Sequence, residues 1–125
     1  MERARPPEDI TPLEFFSQWV PAAVATDERR RRKLGTTEAT IVFELEGLEG
    51  EAEREGGVFS IRVSGGEVRG QAGAEASPDL RVVLDVATWR QLNRGTLAAP
   101  EALLRRRLRL EGDFVLGLKL HLILG

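Results

Sequence analysis

Two kinds of periodicity divide this chain. In Ala39–Glu46, Ile41, Phe43 and Leu45 share one face, and Thr40, Glu44 and Glu46 share the other. In Val58–Val63, Phe59, Ile61 and Val63 alternate with Ser60 and Arg62. Period-2 alternation of this kind predicts strands with one wet face. The Gly/Glu-rich link Gly47–Gly57 reads as an exposed, mobile hairpin loop. Ser64-Gly65-Gly66 predicts a tight turn into a third strand, Glu67–Ala72. Leu80–Leu84 is a fourth, more apolar strand, and Arg105–Leu110 a fifth.

Helical spacing occupies the rest. Thr11-Pro12-Leu13-Glu14 has the form of a capping box with proline at the first helical position. Ile10 and Phe15 are placed as a hydrophobic staple, and Phe15, Phe16, Trp19 and Val20 form an apolar stripe. Pro21 is expected to kink or end this helix. A short helix is predicted over Asp27–Lys33, capped by Thr26 or Asp27 and stopped at Gly35. Its basic run Arg29–Lys33 sits toward the C-terminal end, where the macrodipole favours cations, and Arg29–Arg32 is expected to be a solvated helix end. Asp85 caps a helix over Val86–Asn93 that Gly95 ends, and Pro100 opens a helical turn with Leu103 and Leu104. Asp113 caps the last helix.

That last helix, Phe114–Leu124, is apolar almost all round. With Phe114 at zero, Lys119 falls near ~140° and His121 near ~340°, on roughly opposite sides. Eleven residues span only ~16 Å, about half a bilayer core, so the helix cannot cross a membrane. It must bury two sides. Three arrangements satisfy that: a core or homodimer interface, a lid over a hydrophobic ligand cavity, or peripheral membrane contact.

Composition narrows the function. The chain has 125 residues, enough for one domain, here expected as a flexible leader over 1–9 and a single domain over 10–125. Its net charge of −2 gives no general pull toward nucleic acid. The absence of cysteine excludes disulfides, thiol chemistry and Cys-ligated zinc, and one histidine, His121, is too few for a His-based metal site. MERARPPEDI lacks an apolar signal core, which makes the cytoplasm the default expectation. Asp85 and Asp113 are better explained as caps than as catalytic carboxylates, and Gly65-Gly66 joins two strands rather than a strand and a helix, as a dinucleotide loop would. No catalytic constellation, cofactor or metal is expected.

The order of elements resembles the sterol carrier protein 2-like family of lipid-binding domains, from about Leu13 to Leu124. The resemblance rests on the N-terminal helix with Trp19, the strand IVFELEG, VFSIRVSGGEVRG, DLRVVLDVATWRQLNRG and PEALLRRRLRLEGDFVLGLKL. It implies an α/β domain of α+β type: a five-stranded mixed, largely antiparallel sheet, helices over one face, and a hydrophobic cavity between them. It also implies non-catalytic binding or transfer of a sterol-like, fatty-acyl or other apolar ligand. Two departures stand out. The family often has glycine just before the basic strand, where this chain has Arg106, and the link Thr96–Pro100 is longer than usual.

Combining the pattern with the resemblance, the expected apolar lining is Phe16, Trp19, Val82, Leu84, Trp89, Leu103, Leu108, Leu116, Leu120 and Ile123. Every one of these also has an ordinary explanation as core. Period-2 spacing puts Arg105, Arg107 and Arg109 on one face, either a solvated face or an anion seat at the cavity mouth. The alternative reading is a protein–protein or accessory module in lipid or quinone metabolism that docks through the last helix. A lipid or fatty-acyl ligand is the expected partner, with homodimerisation and transient membrane contact left open and no nucleic acid.

Overall fold

The N-terminal helix begins at the cap that its sequence calls for. The computed structural model describes residues 5–47 and 57–124, with side chains through His121. The link Gly47–Gly57 therefore lies almost wholly outside the described residues. Thr11 accepts from the Glu14 backbone N–H at 3.2 Å, and the Glu14 carboxylate reaches back to Thr11, completing the capping box of α1 (Pro12–Glu14). Helical backbone then continues without a break through a π turn (Phe15–Trp19) into α2 (Val20–Thr26).

Pro21 does not end the helix. Proline cannot donate to the carbonyl four residues back, and its ring crowds that carbonyl. The widened turn just before it absorbs both defects: the Val20 N–H donates to Phe15, five residues back, and the α-helix resumes with Pro21 in its first turn. Asp27 caps α3 (Glu28–Leu34), accepting from the Arg29 and Arg30 N–H groups at 2.9 and 3.4 Å.

Five strands follow: β1 (Ala39–Glu46), β2 (Gly57–Ser64), β3 (Glu67–Ala72), β4 (Leu80–Asp85) and β5 (Leu108–Gly112). Their order is β3-β2-β1-β4-β5, with only β1 and β4 parallel. Between β4 and β5 lie α4 (Val86–Arg94) and α5 (Ala99–Leu104); α6 (Phe114–Leu124) ends the fold. Asp85 caps α4 through the Thr88 N–H, and Gly95, left-handed at φ 76°, closes it.

One face of the sheet, made by Ile41, Phe43, Leu45, Phe59, Ile61, Val63, Leu80, Val82 and Leu84, forms a single buried cluster with Phe15, Phe16, Val20, Val24 and Leu34 of the N-terminal helices, Trp89 of α4 and Leu116 and Leu120 of α6. The other face carries Glu44, Arg81, Arg109 and Glu111. Arg81 pairs with Glu44 and, at 3.8 Å, with Glu111; Arg109 meets Glu111 at 3.3 Å.

Asp79 ties the sheet to α6. Its carboxylate accepts from the Thr40 N–H at 2.8 Å, and its carbonyl accepts from the Asp113 N–H at 2.9 Å. At the same end of the sheet, where β2 leaves for its turn, Glu38 accepts from the Ser64 hydroxyl and the Gly65 N–H. These bonds, and more weakly the nearby Arg62, hold its carboxyl below the usual glutamate range.

Three expectations need correction. β5 starts at Leu108, not Arg105, because Arg105–Arg107 form the turn that leaves α5; Arg105, Arg107 and Arg109 therefore share no strand face. Arg30 is not a solvated end of α3. It is 2% exposed, with its guanidinium 5.3 Å from the Trp19 ring centre and 3.8 Å from Asp27, since residues 30 and 34 form the inward face of that helix. Finally, Pro21 does not end the helix, for the reason given above.

Arg106 adopts φ 58°, the left-handed conformation that glycine takes without penalty. Arg106 therefore carries backbone strain that a glycine at this position would not. A side chain there costs about 1–2 kcal/mol, partly offset by glycine's greater unfolded-state entropy. Arg106→Gly is expected to stabilise the fold by about 0.5–1 kcal/mol in urea titrations; destabilisation would show that the Arg106 side chain does more than fill a turn.

Candidate functional site

The apolar cluster between sheet and helices is organised around aromatic contacts. Phe16, 1% exposed, lies with its ring centre 4.6 Å from Phe43 and 5.2 Å from Phe59. Phe15 stacks on Trp19 at 5.4 Å and meets Trp89 edge-on at 5.4 Å. The π turn makes this set possible by presenting Phe15, Phe16 and Trp19 together toward the sheet and α4. Gly70 on β3 permits the approach: a Cβ there would lie 1.8 Å from the Phe16 carbonyl oxygen.

From the other side α6 closes the cluster. Asp113 caps it, accepting from the Val115 and Leu116 N–H groups at 3.0 and 3.1 Å. Leu116 and Leu120 point inward. Gly117 lets the helix sit on β5 and β4, since a Cβ there would lie 3.0 Å from Leu110 and 3.7 Å from Leu80.

The structure brings Phe16, Val82, Leu84, Trp89, Leu116 and Leu120 into one cluster, with Trp19 and Leu108 partly buried against it. Leu103 stands apart at 44% exposure, because Ala102 is the residue that α5 turns inward. The side chain of Ile123 lies outside the described residues. Phe15, Leu92 and Leu110 also belong to the assembly. The helical stripe and the alternation with Leu108 were the signals for Phe15 and Leu110.

The polar groups near the cluster are few. The Trp89 indole nitrogen and the Thr88 hydroxyl are buried and have no hydrogen-bond partner among the described residues. Beside Trp19 a surface groove of about 320 Å³ runs between the segment Pro7–Ile10 and the outer side of the N-terminal helix. That segment is held to α4 by Arg90, whose guanidinium donates to the carbonyls of Glu8 and Ile10 at 2.8 and 2.9 Å. Of the basic run after α5, Arg105 pairs with Glu101 at 2.8 Å and Arg109 with Glu111. Among the described residues no His, Asp and Glu grouping could hold a metal ion, and no helix is long and apolar enough to cross a membrane.

A mixed five-stranded sheet roofed on one face by helices around an apolar cluster defines the class: an α+β domain of sterol-carrier type. Residues 20–125 match the model of the SCP-2 sterol transfer family, and the chain belongs to that family. Lipid binding and transfer are that family's general business. No curated protein matches the chain by sequence.

Among solved structures, sterol carrier protein 2 from Yarrowia lipolytica in its apo form is 15% identical, with a TM-score of 0.64 over 84% of this chain and 83% of that one. Palmitated SCP2L2 from Aedes aegypti is 20% identical, with a TM-score of 0.66 over 86% and 88%. The inverting sec-alkylsulfatase Pisa1 from Pseudomonas sp. is 22% identical, with a TM-score of 0.66 over 93% of this chain but only 16% of the sulfatase. These likenesses establish a shared fold.

Gly70→Ala tests the close approach at the centre of the site. The clash is with main chain, which cannot rotate away, so a loss of about 3 kcal/mol or more is expected in chemical denaturation. A loss under about 1 kcal/mol would mean that β3 and the π turn part easily.

Proposed function

We propose that this protein binds an apolar ligand of the sterol, fatty-acyl or similar lipid class between its sheet and its helices, and carries it without chemical change. The observation that carries the reading is α6. It has no polar face, and its Leu116 and Leu120 complete an apolar cluster that also holds Phe16, Trp19, Val82, Leu84, Trp89 and Leu108. Family membership supports the lipid class. A ligand takes its place by parting α6 from the sheet, a motion opposed mainly by apolar contact. Each ligand methylene buried there contributes about 0.8 kcal/mol, so a long chain binds tightly with little selectivity for length.

Trp89 supplies the orienting group. An apolar pocket needs only a few polar atoms to fix a ligand's direction. A buried donor left unpaired costs about 1–3 kcal/mol. A hydroxyl or carboxylate oxygen accepting from the Trp89 indole N–H removes that cost and places the polar end of the lipid beside α4.

Native mass spectrometry of the protein incubated with host lipid extract tests the reading. A stoichiometric adduct that is released on denaturation is the expected result; a protein that stays ligand-free would overturn it. Trp89→Phe keeps most of the aromatic area and removes the donor. It is expected to weaken a hydroxyl- or carboxyl-bearing lipid about fivefold and to leave a plain hydrocarbon unaffected.

The sulfatase comparison favours a second reading, in which a domain of this kind serves as an accessory to an enzyme. A stable complex with an enzyme of lipid metabolism, formed through α6 without lipid uptake, would support that reading instead.

A further inference from the structure

α6 has a second apolar face that nothing among the described residues covers. Phe114, Val115 and Leu118 are 65, 69 and 68% exposed. At 100° per residue they fall within an arc of about 100°, roughly opposite Leu116 and Leu120. A helix that needed only to close the cluster would carry polar residues here.

The neighbour of this helix is basic. α3 packs against α6, and the Lys119 ammonium donates to Thr37, just beyond α3, at 3.2 Å. Arg29, Arg31, Arg32 and Lys33 are all exposed on α3, while Arg30 and Leu34 face inward. Of the exposed cations, Arg32 is paired with Glu28 at 3.1 Å. Residues 27–34 carry five basic side chains, Arg29 to Lys33, against Asp27 and Glu28, a local charge of +3 in a chain of net −2.

We infer that the outer face of α6 and the basic surface of α3 together form a docking surface for an anionic membrane. Phe114, Val115 and Leu118 enter the headgroup–acyl boundary, and Arg29 and Lys33, on one flank of α3, meet lipid phosphates beside them; Arg31 lies on the other flank, where it donates to the Ala25 carbonyl at 2.7 Å. An apolar face flanked by cations is the arrangement that holds a short helix in the plane of a bilayer surface. The inference rests on the carrier reading and deepens it. The same helix walls the ligand on one side and touches the donor membrane on the other, so docking loosens the wall where lipid must cross.

The test is flotation of the purified protein with vesicles of phosphatidylcholine alone or mixed with phosphatidylglycerol. Binding to the mixed vesicles is expected, falling as salt is raised. Phe114→Ser with Leu118→Ser, and separately Arg29→Glu with Lys33→Glu, are each expected to lower that binding about tenfold or more. All four side chains are exposed, so folding and lipid uptake in the native mass spectrum should be retained. Equal binding to both vesicle types, or variants that bind as the unchanged protein does, would overturn the inference while leaving the carrier reading intact. So would a dimer in light scattering that the Phe114/Leu118 variant breaks, because the face would then belong to a second copy of the chain.

Discussion

Phe16 is the contact on which the rest of the structure depends. Its ring lies against Phe43 and Phe59, in the middle of the sheet's apolar face, and its own backbone touches β3 where Gly70 has no side chain. That single seat sets how far the helical layer stands from the sheet. Phe15 and Trp19 then fall into place over α4, and Trp19 offers its ring to Arg30. A guanidinium over an aromatic face retains favourable electrostatics when it leaves water. The basic helix α3 is thus anchored by one of its own arginines, and the others remain at the surface.

α6 closes the opposite side by a different kind of contact. It has few polar attachments: the Asp113 cap, the bond from Lys119 to Thr37 and the joint at Asp79. The remaining contact is aliphatic and non-directional. Such contact tolerates exchange, because a lipid chain can replace a protein side chain at small net cost. The aromatic side of the cluster has no such freedom. The two walls of the cluster are therefore unequal, one aromatic and set by ring geometry, the other aliphatic and non-directional.

Much of this was legible in the residues. The alternation in Ala39–Glu46 and Val58–Val63 predicted two strands whose inward residues are those of the core, and the caps at Thr11, Asp85 and Asp113 all form. The failures arise where a residue sits against local rules. At Pro21 a backbone adjustment makes up the difference and at Arg30 a non-local contact does, whereas the turn Arg105–Arg107 that delays β5 keeps Arg106 in a left-handed conformation whose strain remains. Leu103 missed the cluster for a simpler reason: in a helix of six residues, one small residue, Ala102, decides which side faces in. Most of the residues expected as lining fall in the buried cluster, because the periodicity that selected them is the periodicity of a core. The unpaired indole of Trp89 was not legible, since hydrogen-bond satisfaction depends on the whole fold.

The π turn over Phe15–Trp19 stores information in chain length rather than in side-chain chemistry. It holds one residue more than an α turn would. Removing that residue, even the exposed Gln18, would restore regular helical hydrogen bonding and rotate everything before it by about 100°. Phe15 and Phe16 would swing off the sheet, and the Thr11 cap would leave its place near α4. Descendants of this chain can therefore vary the chemistry of that turn far more freely than its count of residues. A one-residue gap there in a relative would mark a differently set helical layer, however similar the remaining residues look.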